Sequence, residues 1–166
     1  MRNYTLGLCA LLVGSVLLSA GCENNTREEE LIRVDAAPHA DAVNQAKRDW
    51  GWVSGTTWIA SSIEGRRPLE QTSLWIRFEG PTWMSGSAGC NHLSASYERR
   101  GIDGLKVSQI AATRMHCAQP EGTMQQESRF IHLLTNADSY HAEADTLSLY
   151  TNGVEMLRFV RGVEAE

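Results

Sequence analysis

From Trp50 onward the chain is a succession of short apolar runs that alternate with polar residues and stop at turn residues. Leu74, Ile76 and Phe78 alternate with Trp75 and Arg77, the period-two pattern of a strand with one buried face. Glu79-Gly80-Pro81-Thr82 closes that run, and Trp83-Met84-Ser85-Gly86-Ser87 opens the next. Thr57 to Ile63, Leu93 to Tyr97, Leu105 to Ile110, Tyr140 to Ala144, Leu147 to Thr151 and Glu155 to Val160 read in the same way. Arg99-Arg100-Gly101 is a polar turn, and Asn152-Gly153 is a strong hairpin signal between the last two strands. One helix interrupts the series. Thr123 and Gln126 have the spacing of a capping box, and Phe130, Leu133, Leu134 and Ala137 recur at helical spacing as a face to lay on a sheet. The expected fold class is α+β, mostly antiparallel β: a small barrel-like sheet of about eight strands with one packed helix.

The first residues have another purpose. Arg2 precedes an apolar and small stretch from Leu6 to Leu18, and Ser19-Ala20-Gly21 then leads to Cys22. That order is a secretory signal ending at a lipidation site, so residues 1–21 would be removed and Cys22 acylated. The stretch is too short to span a bilayer as a helix. Cleavage elsewhere and an uncleaved anchor are the alternatives; Cys9 is a poor anchor because bulky Leu8 precedes it. Glu23, rather than aspartate, follows the cysteine. For a lipoprotein this implies the outer membrane, periplasmic face, or the outer face of the plasma membrane in a single-membrane bacterium. Residues 22–50 read as lipidated cysteine and polar, disordered tether, with Glu23 to Glu30 lacking any apolar face. Residues 51–163 form the domain.

Charge and cysteines narrow the chemistry. Fifteen Lys and Arg against twenty Asp and Glu give a net charge of −5, which argues against a nucleic-acid partner. With Cys9 removed and Cys22 lipidated, Cys90 and Cys117 remain. In an oxidising compartment that pair reads as a disulfide. His92 and His116 lie close in sequence to the same cysteines, yet neither Cys-x-His nor His-Cys has zinc-finger spacing, and neighbours in an extended segment point to opposite faces. No metal or cofactor is expected. A cysteine nucleophile requires a free thiol, which a disulfide removes. Trp75, opposite Leu74 and Ile76, either lines an exposed aromatic patch or packs beneath the Trp50–Trp52 segment.

Gly86-Ser87-Ala88-Gly89-Cys90-Asn91 and Thr113-Arg114-Met115-His116-Cys117 are the least generic stretches. Asn91 can hold a sharp turn, and Arg114 is either a cationic binding group or a structural arginine bonding nearby carbonyls. With Trp58, Tyr97-Glu98, Glu127, Phe130 and Leu157-Arg158-Phe159, these elements resemble the META domain of HslJ-like bacterial lipoproteins over roughly residues 53–161. The helix opens Thr123-Met124-Gln125, without the Met-Glu-Thr-Ala string that named the domain. The resemblance implies an exported, barrel-like protein with no established enzymatic activity, associated with stress and antibiotic tolerance. The expectation is a lipid-anchored, non-catalytic envelope protein that binds a partner protein or an apolar small ligand. The alternative is a pilot or assembly factor for an outer-membrane complex, by analogy of fold.

Overall fold

The computed structural model describes Gln45 and residues 50–162. The signal segment, Cys22 and nearly all of the expected tether lie outside the described residues.

Eight strands follow one another: β1 (Thr57–Ile63), β2 (Ser73–Phe78), β3 (Trp83–Gly89), β4 (His92–Arg100), β5 (Gly104–Ala112), β6 (Ser139–Glu143), β7 (Thr146–Thr151) and β8 (Val154–Arg161). Each pairs antiparallel with the next and β8 returns to β1, so the sheet closes into a barrel-like ring. Most seams run over several residue pairs, as in Leu74↔Ala88 through Phe78↔Met84 between β2 and β3. The β5–β6 seam is the single pair Gly104↔Ser139. The helix α1 (Thr123–Asn136) enters the chain at that thin seam and lies against β3, β5, β7 and β8.

The period-two pattern is realised strand by strand. Leu74, Ile76 and Phe78 point inward and are buried, while Ser73, Trp75 and Arg77 point outward. The interior is filled rather than hollow: Trp58, Ile76, Phe78, Phe130, Leu134, Leu149 and Phe159 are fully buried in one cluster. Phe130 of α1 meets Phe159 of β8 edge-on at 6.2 Å between ring centres. A helical turn at residues 50–53 lies over the ring, and Trp50 packs at 4.7 Å on Phe78, 5.0 Å on Tyr140 and 5.5 Å on Tyr97. The β7–β8 hairpin turns through Asn152 (φ 51°) and Gly153 (φ 76°), the paired positive φ values of a type I′ turn.

Two local expectations need correction. The capping box does not form: the helix cap is Gly122 in the left-handed region, with no side-chain cap bond. The Thr123 hydroxyl donates back to the Pro120 carbonyl at 2.6 Å. The Gln126 amide instead accepts from the Leu69 N–H at 2.7 Å and donates to the Thr72 hydroxyl at 3.0 Å. A tertiary partner has outcompeted the local one. The β4–β5 turn also falls later than expected, at residues 101–103, with Arg99 and Arg100 still in β4.

Candidate functional site

The glycine-rich stretch forms the end of β3 and the corner into β4. Gly86 is required by close approach, since a Cβ there would stand 2.4 Å from the Trp75 carbonyl oxygen. The Ala88 N–H donates to the Asn91 carbonyl at 2.8 Å and closes the corner around Cys90. Cys90 is bonded to Cys117, with Cα atoms 5.9 Å apart. This ties the corner to the segment between β5 and α1.

Asn91 is the hub of the arrangement and is only 2% exposed. Its Oδ1 accepts from the Thr113 hydroxyl and from the Met115 N–H, both at 2.7 Å. Its Nδ2 donates to the Met115 carbonyl at 3.1 Å and to Glu127 Oε1 at 2.7 Å. Its own N–H donates to Glu127 Oε2 at 2.8 Å. Every hydrogen-bonding position of the side-chain amide is therefore filled. Thr113 is held a second time, through its N–H on the His92 carbonyl at 3.0 Å.

These bonds fix a loop whose side chains face solvent. Arg114 and His116 are exposed and Met115 is 51% exposed. Arg114 makes no hydrogen bond or ion pair among the described residues, so it does not bond nearby carbonyls as a structural arginine would. The loop is thus rigid in backbone and free in side chain. The two cysteine sulfurs are bonded to each other, which leaves neither thiolate for a metal or for attack on a substrate.

Trp75 lies elsewhere, on the outer face of β2. It does not sit beneath the Trp50–Trp52 segment, whose rings pair with Phe78, Tyr97 and Tyr140 and with Trp58. Trp75 faces Ile59 across the β1–β2 seam, and Ile59 faces Val160 across the β1–β8 seam. Ile59 and Val160 are each 40% exposed, so three apolar side chains form a short outward row.

Two partners were not foreseen. Glu127 enters the buried face of α1, one turn before Phe130, to serve Asn91; a carboxylate in line with Phe130 and Leu134 is the sequence signal for it. Arg99 places its guanidinium 4.6 Å from the centre of the Trp50 ring and donates to the Tyr140 hydroxyl at 3.0 Å.

The META domain profile matches residues 52–164. The chain belongs to the META domain family. Membership suggests a non-enzymatic, stress-related role. No curated protein matches the chain. Among solved structures, this META domain is similar to a protein from Burkholderia xenovorans determined by NMR. The two are 22% identical with a TM-score of 0.55, over 69% of this chain and 86% of that one. A second NMR structure is also 22% identical, with a TM-score of 0.53 over 66% of this chain and 92% of that one. At that identity the likeness concerns the fold of the META domain.

Proposed function

We propose that the protein is a lipid-anchored, non-catalytic envelope protein that binds a partner protein during envelope stress, using the loop Arg114-Met115-His116 as its contact. The observation that carries this reading is the contrast within the loop: a backbone locked by Asn91 and the disulfide, and side chains with no use inside the fold. A loop ordered before binding loses little conformational freedom on contact, and an exposed Met beside an Arg matches the residues enriched in interface cores. The filled interior favours a contact on the outer surface over a small apolar ligand inside the ring.

A photo-crosslinking residue at position 115, introduced in intact cells, tests the proposal. A discrete protein adduct is expected, lost with Arg114→Glu and missing when the crosslinker is placed at Lys106 on β5. Adduct formation that is equal at both positions, or indifferent to Arg114→Glu, defeats it. Should the adduct be a subunit of one outer-membrane complex, and should deletion mislocalise that complex, the role is assembly; broad drug sensitivity on deletion points to maintenance.

A further inference from the structure

Beside the start of α1, the β1–β2 connection and the helix enclose an open groove of about 340 Å³ that carries three guanidinium groups, Arg66, Arg67 and Arg129. Ile63 and Leu69 give it apolar walls. Glu64 is the only carboxylate among the lining residues, and both its oxygens are taken by Arg129. Arg66 and Arg67 are exposed and make no ion pair among the described residues. A chain with a net charge of −5 thus concentrates an excess of positive charge, three guanidinium groups against one carboxylate, in one concave place.

The groove is also built before any ligand arrives. Ile63 and Arg66 exchange backbone hydrogen bonds at 2.8 and 3.0 Å around Glu64 (φ 50°) and Gly65 (φ 77°), a tight two-residue turn. Three residues on, the Leu69 N–H is held by the Gln126 side chain at 2.7 Å. The Arg66-Arg67 pair is therefore fixed at both ends, on a segment tied to the helix. Planar guanidinium groups that line one groove can pair with the oxygens of a phosphate, and a pre-ordered backbone limits the entropy lost on binding.

We propose that this groove is a phosphate-binding site. Phosphate chemistry reaches it from two sources, free phosphate or the headgroup of an anionic lipid, and the apolar walls suit a phosphate borne on an apolar body. The test uses the chain from residue 22 with Cys22→Ser, so that no acyl chain contributes to membrane binding. The probes are inorganic phosphate, followed by amide NMR shifts, and phosphatidylcholine vesicles with and without phosphatidylglycerol, followed by co-sedimentation. Saturable shifts at Arg66 and Arg67, or sedimentation that requires phosphatidylglycerol, are expected. Arg66→Ala/Arg67→Ala should weaken either by about tenfold or more, with Arg67→Ala alone intermediate and Lys106→Ala without effect. The thermal midpoint of these exposed-site variants should not move. Response to inorganic phosphate alone assigns the site to free phosphate, and response to phosphatidylglycerol vesicles assigns it to a headgroup. Response to neither probe, or binding that survives the double substitution, overturns the proposal.

Discussion

Asn91 and Glu127, thirty-six residues apart, meet through two hydrogen bonds that use both carboxylate oxygens, one from the Asn91 backbone and one from its side chain. The contact joins the β3–β4 corner to the helix, while the far side of the same amide holds Thr113 and Met115. One buried amide thereby fixes three segments. Asn91→Ala would strip partners from a carboxylate that is only 6% exposed and from the Met115 backbone. A loss of about 2–4 kcal/mol in urea unfolding is expected, from unsatisfied buried groups rather than lost packing. Asn91→Asp should cost at least as much at neutral pH, because it sets a second carboxylate against Glu127. Equal stability of Asn91→Ala and the parent protein contradicts the hub assignment.

The disulfide acts on the same corner by another route. Cys90 and Cys117 are 27 residues apart, and closing a loop of that length stabilises a fold by about 3–4 kcal/mol in the chain-entropy model. Reduction, or Cys90→Ala with Cys117→Ala, should lower the urea midpoint accordingly and leave the far-UV spectrum of the folded protein unchanged. Asn91 and Glu127 hold the corner without the sulfur bridge. A reduced protein that loses its strands altogether would mean the hydrogen bonds cannot do so.

Which parts were legible follows from the range of the interactions. Alternation such as Leu74–Ile76–Phe78 encodes strand and buried face within five residues, and Asn152-Gly153 encodes its own turn. The helical face of Phe130, Leu133 and Leu134 is equally local. Gln126 shows where local reading ends. Its spacing from Thr123 suits a cap, but closure of the ring brings the Leu69 backbone within reach, and a partner 57 residues away takes the amide. Arg99 looked like a turn residue because its aromatic partners, Trp50 and Tyr140, lie 49 and 41 positions away. The two cysteine elements hint at the clustering of Asn91, Thr113 and Met115, whereas the sequence leaves Arg114 open between a cationic binding group and a structural arginine. A side chain's lack of partners has no sequence pattern.

Acid should weaken the fold through its paired carboxylates. The hydrogen bond from Arg129 holds the Glu64 carboxyl below the ordinary glutamate range, aided by nearby Arg66 and His132. Arg158 does the same for Glu155, donating at 3.0 and 2.8 Å. A depressed folded-state value means the contribution is complete above the unfolded value of about 4.5 and is lost as pH falls through the folded one. The urea midpoint should therefore drop on acidification below that value. Glu64→Gln and Glu155→Gln should each flatten the acid limb by a small amount, as befits solvent-exposed pairs. A midpoint that is flat or rising between pH 5 and pH 3 (about the window of ordinary carboxylate titration) would be the contrary result.

Trp50 offers the sharpest test of whether residues 50–53 belong to the cooperative unit. Its ring is buried against Phe78, Tyr97 and Tyr140 and is covered by the Arg99 guanidinium. Trp50→Ala should cost about 3–5 kcal/mol, the range for removing a buried aromatic side chain. Trp50→Phe keeps the packing and gives up ring area, so a smaller loss is expected. Arg99→Met removes the cation above the ring and the donor to Tyr140 while retaining a stem of similar length; about 1–2 kcal/mol should go with it. Trp75→Ala, on the outer face, should stay within about 0.5 kcal/mol of the parent. If Trp50→Ala behaves like Trp75→Ala in urea unfolding, residues 50–53 do not contribute to the cooperative unit.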